Sequence, residues 1–450
     1  MGDRGSPRQC RMTAEQRTGG PDGWENLRRE DSSGEEETVD TDSGTLVPEP
    51  FGPLQGVHIV STGTLVAEPF AAHLAALFGA EVIQVEHPSG TCDPWRVLDS
   101  RVPTHDGGEV ATNWVQERRN AFYVTLDLST PEGRELFLRL LGTRDIWMES
   151  SKPGTYDRWG LGDEVVRAAH PALVITHVSG YGQSGHPDYL GRASYDMIGQ
   201  AFGGLMNLTG FADPEPPVRA VPYTGDYITA LFALWSSLAA YINRQRTGRG
   251  QVVDVAQYEA VHALLGGTMV QQFQTGVVRE RSGNKSPSFQ PYDAFRASDG
   301  WIVLGAYGPV FDRVCTVIGA DPGVCTAAAT SVSSPEGLAF DARLREWIGA
   351  RPVAEVVQAF NEAKVPCCQV MTSADMATDP HYRARGVHME WDDPQAGRVR
   401  GTGAIPPFSD TPGRVWRGSV PAGNDNERIY RDLLGVDEAE LAVLRERRVI

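Results

Sequence analysis

Apolar residues fall into two rhythms along the chain. Compact blocks such as "VHIV" (57–60), "EVIQVEHP" (81–88), "FYVTLDL" (122–128), "DIWMES" (145–150) and "ALVITHVSG" (172–180) have the length and β-branched content of buried strands. Between them run segments with apolar residues three and four apart: "AEPFAAHLAALFGA" (67–80), "TPEGRELFLRLLGT" (130–143) and "LGDEVVRAAHP" (161–171). A Gly stop ends the first of these, as expected of a helix. Strand–helix alternation with right-handed crossovers predicts an open, Rossmann-like parallel sheet, an α/β fold.

From about residue 285 the texture changes. "PYDAFRASDGWIVLGA" (291–306) predicts antiparallel strands around a turn at Asp299–Gly300, and two helices parted by Arg351–Pro352 follow over 335–365. The chain is therefore expected to divide into a large domain (51–265 and 405–450) and a small α+β domain (285–390), joined by linkers at 266–284 and 391–404. Residues 1–50, with "DSSGEEETVDTDSG", cannot bury enough apolar surface to offset ordering and are expected to form a disordered acidic tail.

The longest charge-free helical run lies in "VPYTGDYITALFALWSSLAAYINRQRTGRGQ" (221–251), from Tyr227 to Ile242. Asp226 stands at its mouth after a turn-like "YTG", at or near the N-cap of a helix over 227–245. Two readings are open. Asp226 is a cap for orphan amides, or those amides and the helix dipole hold it ionised as a nucleophile and stabilise an oxyanion beside it.

Composition narrows the classes. The 450 residues carry a net charge of −17 with no basic run, which argues against nucleic acid. Six cysteines without CxxC spacing predict neither a metal site nor a disulfide framework, and so a reducing, cytoplasmic setting. No apolar run reaches membrane-spanning length, no signal-peptide pattern is read, and no permanently bound cofactor is expected. HExxH, GxSxG and P-loop patterns are absent.

"GYGQSG" (180–185) matches a dinucleotide fingerprint in letters only, because loop-like "HPDYLGRAS" follows where a helix is needed. A turn whose backbone approaches a ligand fits better. Lys152 and Arg158, in "ESSKPGTYDRWG" (149–160), follow a strand at the sheet end where ligands bind, and are either phosphate holders or solvated charges. Arg118 and Arg119 in "QERRN" share that ambiguity. His177 reads as a core histidine.

Taken in order, "GPLQGVHIVSTG", "AEPFAAHLAALFGAEVIQVEHP", "VTLDLSTPEGRELFLRLL", "SGYGQSG", "YDMIGQAFGGLMNLTG", "TGRGQVVDVAQYEAV" and "VPCCQVMTSADMATDPHYRARG" make the chain resemble class III CoA-transferases, the CaiB/BaiF family, over roughly 51–450. "RRN", "ESSKPG", "VPYTGDY" and "PGRVWRG" look most like the carnitine CoA-transferase branch. The resemblance implies coenzyme A or acyl-CoA as substrate, a small carboxylic acid as partner, and Asp226 as a nucleophile carrying CoA as an aspartyl thioester. It further implies that Lys152 and Arg158 contact CoA, that Leu126, Asp127, Leu128, Ser129, Ser150 and Ser151 line its pocket, and that Gly180, Gly182 and Tyr195 face the substrate. An interlocked homodimer is implied as well.

Val66 and His87 stand where the oxalate branch carries Gln and Arg, which argues against oxalate. A racemase or isomerase is the alternative reading; Tyr195–Asp196 replaces that branch's His–Asp pair, and tyrosine is a poor base for an α-proton. A non-catalytic CoA-binding protein is the third. A quaternary-ammonium acid would find cation–π candidates in Tyr195, Tyr223 and Tyr227.

Overall fold

The blocks read as strands build one parallel sheet. The computed structural model describes residues 46–89, 93–286, 288–321 and 332–450; the expected tail lies outside them except for its last residues. Strands β1 (His58–Ser61), β2 (Glu81–Glu86), β3 (Ala121–Thr125), β4 (Ile146–Glu149), β5 (Val174–Ser179) and β6 (Val252–Ala256) lie in the order β3-β2-β1-β4-β5-β6, every neighbouring pair parallel. Ile59 sits between Val82 and Ile146, which sets the register at the centre.

Helices cover both faces, which is why the strands read as solid apolar runs. On one face lie α1 (Ala67–Leu77) and α5 (Thr224–Thr247), sharing a core with Ile59, Val82, Trp114 and Val174. The other face carries α3 (Pro131–Leu141), started by Thr130, whose hydroxyl accepts the Gly133 N–H at 3.0 Å. Leu136, Phe137 and Leu140 of α3 pack there with Ile429, Tyr430, Leu441 and Val449.

The C-terminal residues also guard the outer edge of β3. Asp425 accepts the Tyr123 N–H at 2.8 Å, and Asn426 accepts that of Thr125 at 2.9 Å. An open row of donors would otherwise template further strands.

The charge-free run forms most of α5. Small side chains on one face, Ala230, Ala233, Ser237 and Ala240, let it lie close against the sheet, with Ser237 and Thr176 hydroxyls 2.7 Å apart. The opposite face leaves Leu231, Trp235 and Ile242 more than half exposed, at 54%, 58% and 59%. Gly248, at φ 71°, closes the helix where a Cβ would be strained.

Tyr292–Arg296, Trp301–Gly305 and Cys367–Gln369 form a separate antiparallel sheet, packed on helices Pro335–Gly349 and Val353–Glu362 around Phe295, Ile302, Leu344 and Phe360. The segments expected as linkers are structured. Residues 266–284 include the helix Thr268–Thr275. Most of 391–404 lies in the hairpin His388–Asp393 and Gly397–Thr402, whose Trp391 is buried in the first core. Its alternating small and charged residues hid a single anchoring indole.

Candidate active site

In this strand order the chain reverses direction between β1 and β4, so the loops leaving their carboxyl ends diverge and open a crevice. Two hollows lie there. One of about 390 Å³ is lined by Leu65, Val66, Ser150, Lys152, Tyr195 and Asp226, among others. The second, of about 240 Å³, is lined by Leu126 to Ser129, His87 and Trp159. Thr64 and Ser151 belong to both walls, so the two are neighbours. A larger hollow of about 470 Å³ against the small sheet has Asp293 as its one charged lining residue, and Arg345 pairs with it.

Asp226 is not the cap. The helix α5 begins at Thr224, which places Asp226 in its first turn. Its cap comes from elsewhere: buried Asp196, first residue of α4 (Asp196–Phe202), accepts the Gly225 and Asp226 N–H groups at 2.8 and 3.2 Å. Those amides are therefore occupied, and the expectation that they would steady an oxyanion beside Asp226 is corrected. The displaced Asp226 carboxylate faces the larger hollow of the crevice and takes a short hydrogen bond from the Gln257 amide.

The expected ionisation is corrected too. Burial, then the charge of Asp196, pushes the Asp226 carboxyl up to about 7, with Glu117 adding and Gln257 opposing. Glu117 is itself raised by burial and accepts from Tyr227 and Trp95. Near neutrality Asp226 thus exists in both forms, and its anion is poorly solvated.

Of the residues singled out in sequence, Ser150, Ser151, Lys152, Gly180, Tyr195 and Asp226 converge on the first hollow, and Leu126, Asp127, Leu128, Ser129 and Ser151 on the second. Arg158 and Gly182 line neither. Arg158 is exposed, its guanidinium donating to Thr155 Oγ1 at 3.0 Å, and Gly182 donates its N–H to Ser179 Oγ at 2.9 Å. Arg118 and Arg119 are buried braces rather than phosphate holders. The first pairs with Asp93 at 3.2 Å and donates to the Leu65 carbonyl; the second donates to Thr402 and lies over Trp391. His177 is buried as expected, but charged: burial opposes its proton, while the hydrogen bonds its ring donates to Asp163 and Glu149 raise it to about 10.

The profile of CoA-transferase family III matches residues 54–426. The chain belongs to CoA-transferase family III. It is 38% identical to a bile acid CoA-transferase, BaiK, of Clostridium scindens over 89% of this chain and 90% of that protein. It is also 38% identical to a succinyl-CoA–D-citramalate CoA-transferase of Chloroflexus aurantiacus (89% and 99%) and 33% identical to an L-carnitine CoA-transferase of Proteus mirabilis (86% and 94%). Among solved structures, a CaiB/BaiF family protein from Brucella suis superposes with a TM-score of 0.75 at 28% identity, covering 85% of this chain and all of the other.

For a family III CoA-transferase, the informative residues that sequence reading missed are Asp196, Gln257 and Arg192. Gln257 opens the helix directly after β6, a polar side chain at the carboxyl end of a strand, and that position was the available signal. Asp196 was read only as half of a Tyr–Asp pair. Its carboxylate is turned to α5, while Tyr195 is 68% exposed, so the two do not act on one point. Among the described residues no group of three or more His, Cys, Asp or Glu is placed to hold a metal, and no helix is long and apolar enough to cross a membrane.

Proposed function

We propose that this family III enzyme moves CoA from an acyl-CoA to a free carboxylic acid through a thioester on Asp226. The observation that carries this reading is a carboxylate released from capping by Asp196 and presented to the crevice at the reversal of the sheet order. The ionised Asp226 attacks the thioester carbonyl, giving a mixed anhydride and CoA thiolate. Thiolate then attacks the Asp226 carbonyl, releasing the donor acid and leaving Asp226–CO–S–CoA. The acceptor carboxylate repeats both steps in reverse and restores Asp226. Leu65, Val66 and Val178 supply apolar wall against hydrolysis, and the Gln257 amide is the donor placed at the reacting carboxyl.

CoA would lie along the second hollow, against Leu126–Ser129 and the shared Ser151, and reach Ser150 and Lys152 on the wall of the first, with Gly180 and Tyr195 toward the acid. For that acid the lining favours a second carboxylate over a quaternary ammonium. Lys152 and Arg192 both border the Asp226 hollow. Of the three tyrosines only Tyr195 reaches it; Tyr223 bonds Asp99 and packs on Trp95, and Tyr227 bonds Glu117 and packs on Phe70. Incubation with succinyl-CoA, followed by digestion and mass spectrometry, is expected to show CoA on the peptide holding Asp226. In the same mixtures malate or citramalate should yield acyl-CoA faster than carnitine does. Product without any mark on Asp226 would refute the mechanism, and faster transfer to carnitine would refute the assignment of the acid.

The racemase reading gains no support from Tyr195, which stands 68% exposed while the neighbouring Asp196 carboxylate is turned to α5. A homodimer is proposed on the exposed stripe of Leu231, Trp235 and Ile242, with Phe202 and Phe273 also uncovered. Sedimentation equilibrium is expected to return twice the chain mass, and Trp235→Glu to weaken that association; a monomer at micromolar concentration would overturn it.

A further inference from the structure

One buried carboxyl beside the site has no part in the transfer chemistry. Glu68, in the first turn of α1, is fully buried; its Oε2 lies 3.0 Å from Ser61 Oγ, and its Oε1 has no partner. Ser61 Oγ also lies 2.6 Å from Gln84 Oε1, while Gln84 Nε2 donates to the Gly63 carbonyl at 2.9 Å. Counting protons fixes the directions. The Gly63 carbonyl can only accept, so the Gln84 amide must present its nitrogen there and its oxygen to Ser61. Ser61 has one proton, and the shorter contact with Gln84 Oε1 takes it. The contact to Glu68 is then filled only if Glu68 carries the proton and donates.

We propose that Glu68 is a positioning residue acting as a neutral acid, whose donated hydrogen bond locks the 61–64 loop that walls both hollows, and whose ionisation releases it. The proposal rests on the transfer reading, because the loop matters only if the hollows hold CoA and acid.

The lock runs from Glu68 through Ser61 and Gln84 to the Gly63 carbonyl. The next amide, of Thr64, donates to Ser150 Oγ at 3.2 Å, so the chain ends on the wall of the crevice. A Cβ at residue 63 would stand 1.8 Å from Glu68 Oε2 and 2.8 Å from Ser150 Oγ, which makes Gly63 the thin partition between acid and site. The far end of the loop is held independently. Leu65 adopts φ 66°, costly for its side chain, with its N–H given to Asp93 at 2.8 Å and its carbonyl to Arg118. A strained turn pinned at both ends loses its shape when either pin is withdrawn.

The surroundings support the neutral form. Burial raises the Glu68 carboxyl to about 8; Ser61, Arg118 at the end of α2 (Thr112–Glu117) and the Gly63 amide pull it down, while Glu149 at the end of β4 pushes it up. The remaining neighbour, Tyr156, is held protonated by its own burial and bonds Thr62 at 2.7 Å. Above about pH 8 the carboxylate has no proton to give, and an anion is left beside Glu149.

Two measurements test this. The infrared difference between wild type and Glu68→Gln should isolate one protonated-carboxyl band that disappears with a midpoint near 8, distinct from the Asp226 band that both proteins keep. This arm needs no turnover, so it stands even if the transfer mechanism fails. The pH profile of kcat/KM should fall about tenfold by roughly one unit above that midpoint in wild type, whereas Glu68→Gln, whose amide still donates to Ser61, should lack the fall. The same comparison on CoA binding separates a released loop from a change in chemistry. A band unchanged by Glu68→Gln, or alkaline limbs that coincide in the two proteins, would overturn the proposal.

Discussion

Replacing Asp226 by asparagine is expected to lower CoA transfer by about 10⁴-fold or more while leaving CoA binding within a few fold of wild type. The amide cannot form the anhydride or the thioester, yet it fills the same space beside Gln257 and removes no residue from the second hollow. The same variant should be the more stable protein in mildly alkaline solution. Because the folded-state carboxyl sits near 7, above its ordinary 3.8, folding favours the protonated form. That contribution is complete below about pH 4 and is lost as pH rises through about 7. Asparagine never ionises, so wild type and variant should melt together in acid and part above neutrality, with Asp226→Asn melting higher. Retained turnover would dismiss the nucleophile, and equal melting temperatures at about pH 8 would dismiss its strained charge.

The second large effect is expected at Asp196. Its carboxylate gathers the Gly225 and Asp226 amides of α5 from a different helix, with Gln200 Nε2 2.8 Å from its other oxygen. Alanine there leaves those amides without their partner, a loss of about 1–2 kcal/mol in chemical denaturation. It also frees Asp226 to turn back and cap its own helix, so kcat should fall about 10²-fold. The rising limb of the pH profile should move below 7, since a charge that raises Asp226 has gone. Asp196→Asn separates the two causes: it keeps an acceptor near the amides and so loses less stability, but should shift the limb similarly. A limb that stays put in both variants would show that the neighbouring charge does not set the nucleophile's ionisation.

The sheet was legible because each central strand is buried on both faces and so needs no alternation to be recognised. β6 was harder, since Asp254 interrupts "VVDVA"; its carboxylate faces outward and accepts the Gln183 N–H at 2.8 Å. Asp226 was legible as a carboxylate at a helix mouth, but its role turned on a contact thirty positions upstream that no local pattern carries. The tandem arginines at 118–119 misled for a related reason. Residue type suggests solvent or phosphate, whereas the fold spends them on the Leu65 carbonyl and the Trp391 ring. What one sequence displays is periodicity and local chemistry; which polar groups meet across the crevice depends on the sheet order.

The seal on β3 by Asp425 and Asn426 has a consequence for biosynthesis. The strand is made early, yet the side chains that silence its border follow it only after 302 and 301 further positions. Over that stretch of translation the half-made protein carries a sticky margin. A message cut short before those two codons would yield a chain with β3 open to its neighbours and the α3 face of the sheet short of the apolar residues that cover it.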